Sequence, residues 1–92
     1  MALISILGGG ESGVGTAILG KQKGFDVFVS DSKQIVEKYK QVLLHHEINF
    51  EENQHTENLI FRANVVMKSP GIPEKAPIVK KLLELKIHRF MH

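Results

Sequence analysis

The sequence predicts a three-layer α/β domain built on a parallel sheet of four to five strands. Short apolar or β-branched runs alternate with segments whose apolar residues recur at helical spacing, a pattern typical of parallel strands joined by right-handed helical crossovers. A glycine loop, residues 8–13, stands between the first run and the first helix, which is the order found in Rossmann-like folds. The 92 residues, of which 42% are hydrophobic, suffice for one core, so we expect a single domain spanning residues 1–92.

Composition and charge narrow the possible partners. The 12 basic and 10 acidic residues are spread along the chain and form no basic stripe of the kind that nucleic acid requires, although the pI is near 9.0. The sequence has no cysteine, no signal-peptide pattern and no apolar run long enough for a membrane span. We therefore expect a cytoplasmic protein that binds neither nucleic acid nor a membrane.

The first strand and helix enclose the glycine loop. Residues 3–7 form an apolar run that predicts a strand, and residues 12–23 predict a helix on which Val14 and Ala17 share one face. Gly24 stands where a helix C-terminal cap belongs. A strand, a glycine turn and a helix therefore follow one another directly.

The second unit begins with residues 26–30, whose β-branched and aromatic side chains predict a strand. Apolar residues then recur at helical spacing across residues 35–43, and Ser32 is placed to cap the N-terminus of that helix. Residues 48–50 predict a weaker third strand.

The rest of the chain predicts one further unit and a last helix. Residues 56–61 predict a short helix or turn, and residues 64–68 predict a fourth strand that residues 69–73 end abruptly. Pro77 suits the first turn of a helix with its apolar residues on one side. Residues 86–92 predict a short fifth strand.

Ligands of open parallel sheets bind beyond the carboxyl ends of the strands, where the glycine loop lies. In that loop Gly8 permits a tight turn, Gly10 lets the backbone come close to a diphosphate, and Gly13 lets the helix pack on its strand. Ser12 offers a hydroxyl and a backbone N–H to a phosphate. Glu11 would repel a phosphate, so we expect its carboxylate to point away or to lie beside the base.

A second candidate loop follows the second strand. Asp31 stands at the usual distance after the glycines for a carboxylate that accepts ribose hydroxyls, and Ser32 and Lys33 come directly after it. The alternative is that Asp31 only helps to cap the next helix. The glycine loop at the same edge of the sheet favours the ligand role.

The third candidate loop, residues 69–73, is called the proline loop here. Its two prolines stiffen the chain around Gly71, which can take a positive φ or let a ligand approach closely. Because it follows the fourth strand, Ser69, Pro70 and Gly71 are placed to form a third wall of the same crevice.

Two other patterns lack essential parts of the sites that they resemble. Residues 15–21 match the G-x-x-x-x-G-K pattern of an ATP-binding loop, but Gln22 replaces the Ser or Thr that would bind magnesium, and the segment lies inside the predicted first helix. The histidines show no metal-ligand spacing: His45, His46, His55, His88 and His92. We predict no metal site and no catalytic residue.

Three segments of the chain, residues 6–13, 29–33 and 68–73, resemble segments of the Mur ligases and occur in the same order. The resemblance covers nearly the whole chain, and the pairing of the glycine loop with the proline loop is far more specific than either loop alone. Within the family the pattern is most similar to the branch that adds D-glutamate to UDP-N-acetylmuramoyl-L-alanine in peptidoglycan synthesis.

The resemblance implies an N-terminal domain that holds the UDP part of UDP-N-acetylmuramoyl-L-alanine. Ser12 and Gly13 would then meet the diphosphate. Asp31–Lys33 would surround the uracil and the ribose, and Gly71 would close the far wall. In Mur ligases a central domain binds ATP and magnesium and a C-terminal domain helps to receive the amino acid. Neither is expected in these 92 residues, so we expect a fragment that binds substrate, carries no cofactor of its own and does not ligate.

Two alternatives remain open on the residues alone. A nucleotide-sensing or NAD-binding regulatory module would also use the glycine loop and Asp31, although the proline loop favours the ligase. An interaction domain whose glycines serve only packing would bind no nucleotide. One departure from the Mur ligase pattern is that residues 87–92 lack the acidic segment that follows the last helix in the family.

Overall fold

The computed structural model describes residues 2–70, 72, 76–84 and 90–91. This part of the chain forms a five-stranded parallel sheet in the order β3-β2-β1-β4-β5. The strands are β1 Leu3–Leu7, β2 Asp26–Ser30, β3 Asn49–Glu51, β4 Val65–Lys68 and β5 Phe90–Met91. The helices are α1 Glu11–Gln22, α2 Glu37–His45, α3 Glu57–Phe61 and α4 Pro77–Glu84. The predicted α/β class, parallel sheet and element order are therefore confirmed.

The sheet order reverses direction beside β1. The chain runs outward from β1 through β2 to β3, and then returns to place β4 on the other side of β1. Ligand crevices of open α/β sheets lie at such a reversal, beyond the carboxyl ends of the strands. The loops that follow β1 and β4 are the glycine loop and the proline loop, so both border this crevice.

Each face of the sheet has its own apolar core, which accounts for the three layers. Successive residues of β1 point to opposite faces: Ile6 packs with Val14 and Ala17 of α1, whereas Leu7 packs with Ile60 of α3 and Val79 of α4. All six side chains are almost completely buried. Strands covered on both faces are expected to be mostly apolar, and β1 is apolar except for Ser5, whose buried hydroxyl donates to the Ile60 carbonyl oxygen at 3.1 Å. Among the described residues no helix is long and apolar enough to cross a membrane.

The start of α2 differs from the prediction. The helix begins at Glu37 and its N-cap position is Val36, so the predicted cap at Ser32 is wrong. The backbone N–H of Ile35 instead donates to the Glu52 carboxylate at 2.9 Å, and the Ile35 side chain is buried in the core. This tertiary anchoring keeps the segment before Glu37 out of the helix.

At the end of α1, Gly24 follows the C-cap residue and has φ +90°, as the predicted C-terminal cap requires.

Candidate functional site

A cleft of about 590 Å³ opens at the carboxyl ends of the central strands, within the size range of small-molecule sites. It lies where the glycine loop, the loop after β2, the proline loop and the start of α4 meet. The lining residues are Gly8, Gly10, Asp31, Ser32, Lys33, His55, Glu57, Ser69, Ile72, Ala76, Pro77, Ile78 and Lys81. The three loops predicted from the sequence therefore share one crevice.

The tight turn after β1 depends on two glycines. Gly8 has φ +110°, and its N–H donates to the Ser30 carbonyl oxygen at 2.8 Å. A Cβ on Gly8 would lie 2.8 Å from the Cβ of Ser69, and a Cβ on Gly13 would overlap the Gly8 carbonyl oxygen. Both positions therefore require glycine, for the conformational and packing reasons that the sequence predicted.

Gly10 has a different role because the space around it is open. It is the N-cap of α1 in an extended conformation, and a Cβ there would meet no atom within 4 Å. The Val14 N–H donates to its carbonyl oxygen at 2.9 Å, and no side chain caps this end of α1. The earlier N–H groups of α1 are thus left for an external acceptor, an arrangement that favours an anion.

The other predicted residues of the glycine and proline loops lie outside the lining. Glu11 and Ser12 are exposed at the start of α1, and Gly13 is buried beneath the turn. Pro70 is exposed and does not line the cleft. Gly71 lies outside the described residues. Of the described residues of these two loops, Gly8, Gly10, Ser69 and Ile72 line the cleft.

Asp31 connects the glycine loop to the loop after β2. One carboxylate oxygen accepts a hydrogen bond from the Gly9 N–H at 2.8 Å, and the other accepts from the Lys33 N–H at 3.0 Å. The carboxylate does not cap α2, which starts later in the chain. Each oxygen keeps a further lone pair for a ligand. Asp31 therefore braces two walls of the cleft.

Replacing Asp31 by alanine is expected to destabilise the domain by about 1–3 kcal/mol, because two charge-assisted hydrogen bonds to the backbone are lost together. Asp31→Asn keeps one acceptor oxygen and is the matched control, so it should recover part of this loss. Thermal unfolding without ligand measures both variants. An alanine variant as stable as the parent would show that the loops hold their positions without the carboxylate.

The proline loop is held against the sheet by Lys68 and by the end of β1. The Lys68 ammonium donates to the Ile72 carbonyl oxygen at 2.7 Å and to the Ser69 carbonyl oxygen at 3.4 Å. The Ser69 N–H donates to the Leu7 carbonyl oxygen at 2.9 Å, which continues the β1–β4 ladder into the loop. Ser69 and Ile72 are thereby fixed along one wall of the cleft.

A buried polar cluster under the cleft is absent from the sequence-based prediction. The Ser30 hydroxyl lies 2.7 Å from a Glu51 carboxylate oxygen and 2.7 Å from Nδ1 of His55. Glu51 also accepts hydrogen bonds from the N–H and the hydroxyl of Thr56, at 2.8 and 2.6 Å. Burial raises the pKa of Glu51, but the hydrogen bonds from Thr56 and Ser30 and the nearby His55 outweigh it, and the net pKa lies below its usual value. Glu51 is therefore a carboxylate at neutral pH.

The rim opposite the glycine loop carries an ion pair that the sequence did not indicate. The Lys81 ammonium of α4 is 2.7 Å from the Glu57 carboxylate of α3. Both side chains are about half exposed, and both line the cleft.

In the described part of the chain, no three His, Asp or Glu side chains are grouped so that they could hold a metal ion.

The sheet order, the glycine turn and the cleft at the point of reversal define an α/β domain of Rossmann-like type with a ligand-sized crevice. Comparison of the sequence with protein families gives a match to the MurD N-terminal domain over residues 3–78. The chain belongs to this family, which confirms the resemblance to Mur ligases.

Individual relatives agree with the family match. The chain is 64% identical over 81 residues to a UDP-N-acetylmuramoylalanine–D-glutamate ligase of Christiangramia forsetii, a match that covers 88% of this chain and 18% of that protein. It is 56% identical over 82 residues to the ligase of the same name in Bacteroides thetaiotaomicron, covering 89% of this chain and 18% of the relative. The chain thus spans about a fifth of the length of these relatives.

A solved structure shows the same fold. The crystal structure of UDP-N-acetylmuramate:L-alanyl-gamma-D-glutamyl-meso-diaminopimelate ligase from Neisseria meningitides superimposes with a TM-score of 0.82 over 98% of this chain and 28% of that one. At 24% identity this likeness establishes the fold alone.

Proposed function

We propose that this chain is the substrate-holding N-terminal domain of an ATP-dependent ligase that adds D-glutamate to UDP-N-acetylmuramoyl-L-alanine, and that it binds the UDP part. The observation that carries the proposal is the 64% identity, over 88% of the chain, to a protein named UDP-N-acetylmuramoylalanine–D-glutamate ligase. The cleft supports it because its loops supply what a nucleoside diphosphate requires: open helix N–H groups, a braced carboxylate and an apolar wall.

In the proposed complex the diphosphate lies at the N-terminus of α1, over Gly10 and against the N–H groups of Ser12 and Gly13. The uracil and ribose lie between Asp31–Lys33 and the proline loop. The Ser12 hydroxyl is exposed and can turn toward a phosphate without displacing a hydrogen bond of its own. Glu11 is exposed at the same helix end, and its carboxylate is kept clear of the diphosphate in this arrangement.

The chain's part in the proposed reaction is binding. ATP and magnesium would be held by the central domain of the ligase, and D-glutamate by its C-terminal domain, so the 92 residues are proposed to have no catalytic residue of their own. The domains beyond this chain are then its partners, and the cytoplasm is its proposed location. Support comes from the share of the relatives that the chain spans, 18% of each.

A comparison of three compounds tests the proposal. We expect UDP and UDP-N-acetylmuramoyl-L-alanine to raise the unfolding temperature of the chain, and NAD⁺ to raise it less or not at all at the same concentration. The glycine loop and Asp31 would also suit an NAD-sensing module, so a preference for NAD⁺ would overturn the ligase assignment. Isothermal titration calorimetry with UDP then gives the affinity.

Gly10→Val is expected to weaken UDP binding about tenfold or more without unfolding the chain. The φ of Gly10 is −85° and a Cβ there meets no atom within 4 Å, so valine fits the free protein and instead occupies the space that the diphosphate needs. Gly15→Val is the matched control, since Gly15 is also open and does not line the cleft. Equal UDP affinity of a folded Gly10 variant and the control would refute the role of Gly10.

A further inference from the structure

His55 lies at the boundary between the cleft and the buried polar cluster beneath it. Its ring is half-buried and lines the cleft. Nδ1 lies 2.7 Å from the hydroxyl oxygen of Ser30, a residue with 0% exposure. One edge of the ring is therefore anchored in the core while the residue borders the ligand space.

The direction of the hydrogen bonds in this cluster follows from two groups that only accept. The ionised Glu51 carboxylate lies 2.7 Å from the Ser30 oxygen, and the Gln54 carbonyl oxygen lies 3.2 Å from it. The single Ser30 proton therefore points to one of these two acceptors and not to His55. The Ser30 oxygen then acts as an acceptor toward His55, which must carry its proton on Nδ1, and this fixes one tautomer of the imidazole.

The other ring nitrogen is available to a ligand. Nε2 has no hydrogen-bond partner among the described residues. Every buried side-chain nitrogen or oxygen in that part of the chain has a partner, so Nε2 is not buried. Burial lowers the pKa of His55, whereas the negative charges of Asp31 and Glu51 raise it. Burial is the larger effect, so the net pKa lies below its usual value. At neutral pH the ring is uncharged, and Nε2 presents a bare lone pair.

We propose that His55 is a ligand-contact residue of the cleft, whose Nε2 accepts a hydrogen bond from a donor of the bound nucleoside, and that Ser30 and Glu51 are positioning residues that fix its tautomer. The proposal rests on the proposed function, because it takes the ligand to contain uridine. Uridine carries two kinds of donor within reach of such a site, the ribose hydroxyls and the imide N–H. An acceptor facing the imide would also reject cytosine, whose N3 is an acceptor.

Two variants of His55 separate its two nitrogens. Asparagine places its amide group near the position of Nδ1, so His55→Asn keeps a donor to Ser30 and loses the acceptor in the cleft. Glutamine reaches the position of Nε2, so His55→Gln keeps an acceptor in the cleft and loses the Ser30 contact. We expect His55→Asn to weaken UDP binding about two- to tenfold with little change in stability, and His55→Gln to bind UDP more tightly than His55→Asn.

Modified ligands identify the donor. Three analogues of UDP each lack one donor: 2′-deoxy-UDP and 3′-deoxy-UDP lack one ribose hydroxyl, and 3-methyl-UDP lacks the imide N–H. The analogue without the partner donor should bind the parent chain more weakly than UDP does, and this difference should disappear in His55→Asn. Differences that are the same in the parent and in His55→Asn for all three analogues would refute the contact.

The tautomer is tested without any ligand. Long-range ¹H–¹⁵N NMR of the free chain should show the His55 proton on Nδ1 and an unprotonated Nε2 at neutral pH, and the Nε2 signal should move when UDP is added. A proton on Nε2, or a His55→Asn variant that binds UDP like the parent, would overturn the proposal while leaving the UDP site intact. A parent chain that binds no UDP would overturn the proposed function itself, and the contact with it.

Discussion

Gly13→Ala is expected to destabilise the domain by about 3 kcal/mol or more, the largest effect of one added methyl group in the part of the chain that the structure describes. The new Cβ would overlap the Gly8 carbonyl oxygen and lie 2.9 Å from its carbonyl carbon. These are backbone atoms at the end of the central strand β1, held by the 2.8 Å hydrogen bond from the Gly8 N–H to Ser30. Overpacking costs about 1–3 kcal/mol where side chains can adjust, and more where they cannot.

The matched control lies two residues further along the same helix. Gly15 is exposed, and a Cβ there would meet no atom within 4 Å. Gly15→Ala should therefore leave the domain unchanged or stabilise it by about 0.5–1 kcal/mol, since alanine is the better helix former. Urea unfolding followed by far-UV circular dichroism compares the two variants, because the chain has no tryptophan. Similar stability of both would mean that the turn has room for a side chain at Gly13.

Much of this fold could be predicted because its signals are local. The apolar runs, the helical periodicities and the glycine loop each occupy a few consecutive residues, and the elements form close to where they were expected. The predicted start of α2 was wrong because a residue distant in the sequence decides it. The Glu52 carboxylate accepts a hydrogen bond from the N–H of Ile35, 17 positions earlier, at 2.9 Å. A favourable capping residue such as Ser32 does not outweigh that contact.

In the candidate site, too, features with local sequence signals could be predicted, and features that depend on distant residues could not. Its predicted lining residues, among them Gly10, Asp31 and Ser69, lie in the loops that follow strands, and the carboxyl ends of parallel strands meet at one edge. His55 and Lys81 were missed, since their roles depend on partners 25 and 24 positions away. The register that pairs Ser30 with Glu51 creates the buried cluster, and no spacing in the sequence indicates it. Pattern analysis thus found the loops of the crevice and not the network beneath them.

Glu51→Ala is expected to cost about 2–4 kcal/mol near neutral pH, because it removes the acceptor of three hydrogen bonds in a nearly buried position. Glu51→Gln should cost less, because its amide oxygen can still accept a hydrogen bond. Some cost remains, because its NH₂ group faces other donors. The pH dependence separates charge from packing. Because burial is outweighed by hydrogen bonds from Thr56 and Ser30 and by His55, the pKa of Glu51 is lower in the folded chain than its ordinary value of 4.5.

The sign of the pH effect follows from this lowered pKa. Above pH 4.5 the stabilisation by the Glu51 carboxylate is fully present. As the pH falls below that value the unfolded chain takes up the proton first, and the stabilisation is lost as the pH passes through the folded pKa. Urea midpoints measured from pH 7 to pH 3 should therefore fall less steeply for Glu51→Gln than for the parent. Glu47→Gln, at an exposed position, should follow the parent curve. Parallel curves for the parent and Glu51→Gln would show that the cluster is held by shape and not by the charge on Glu51.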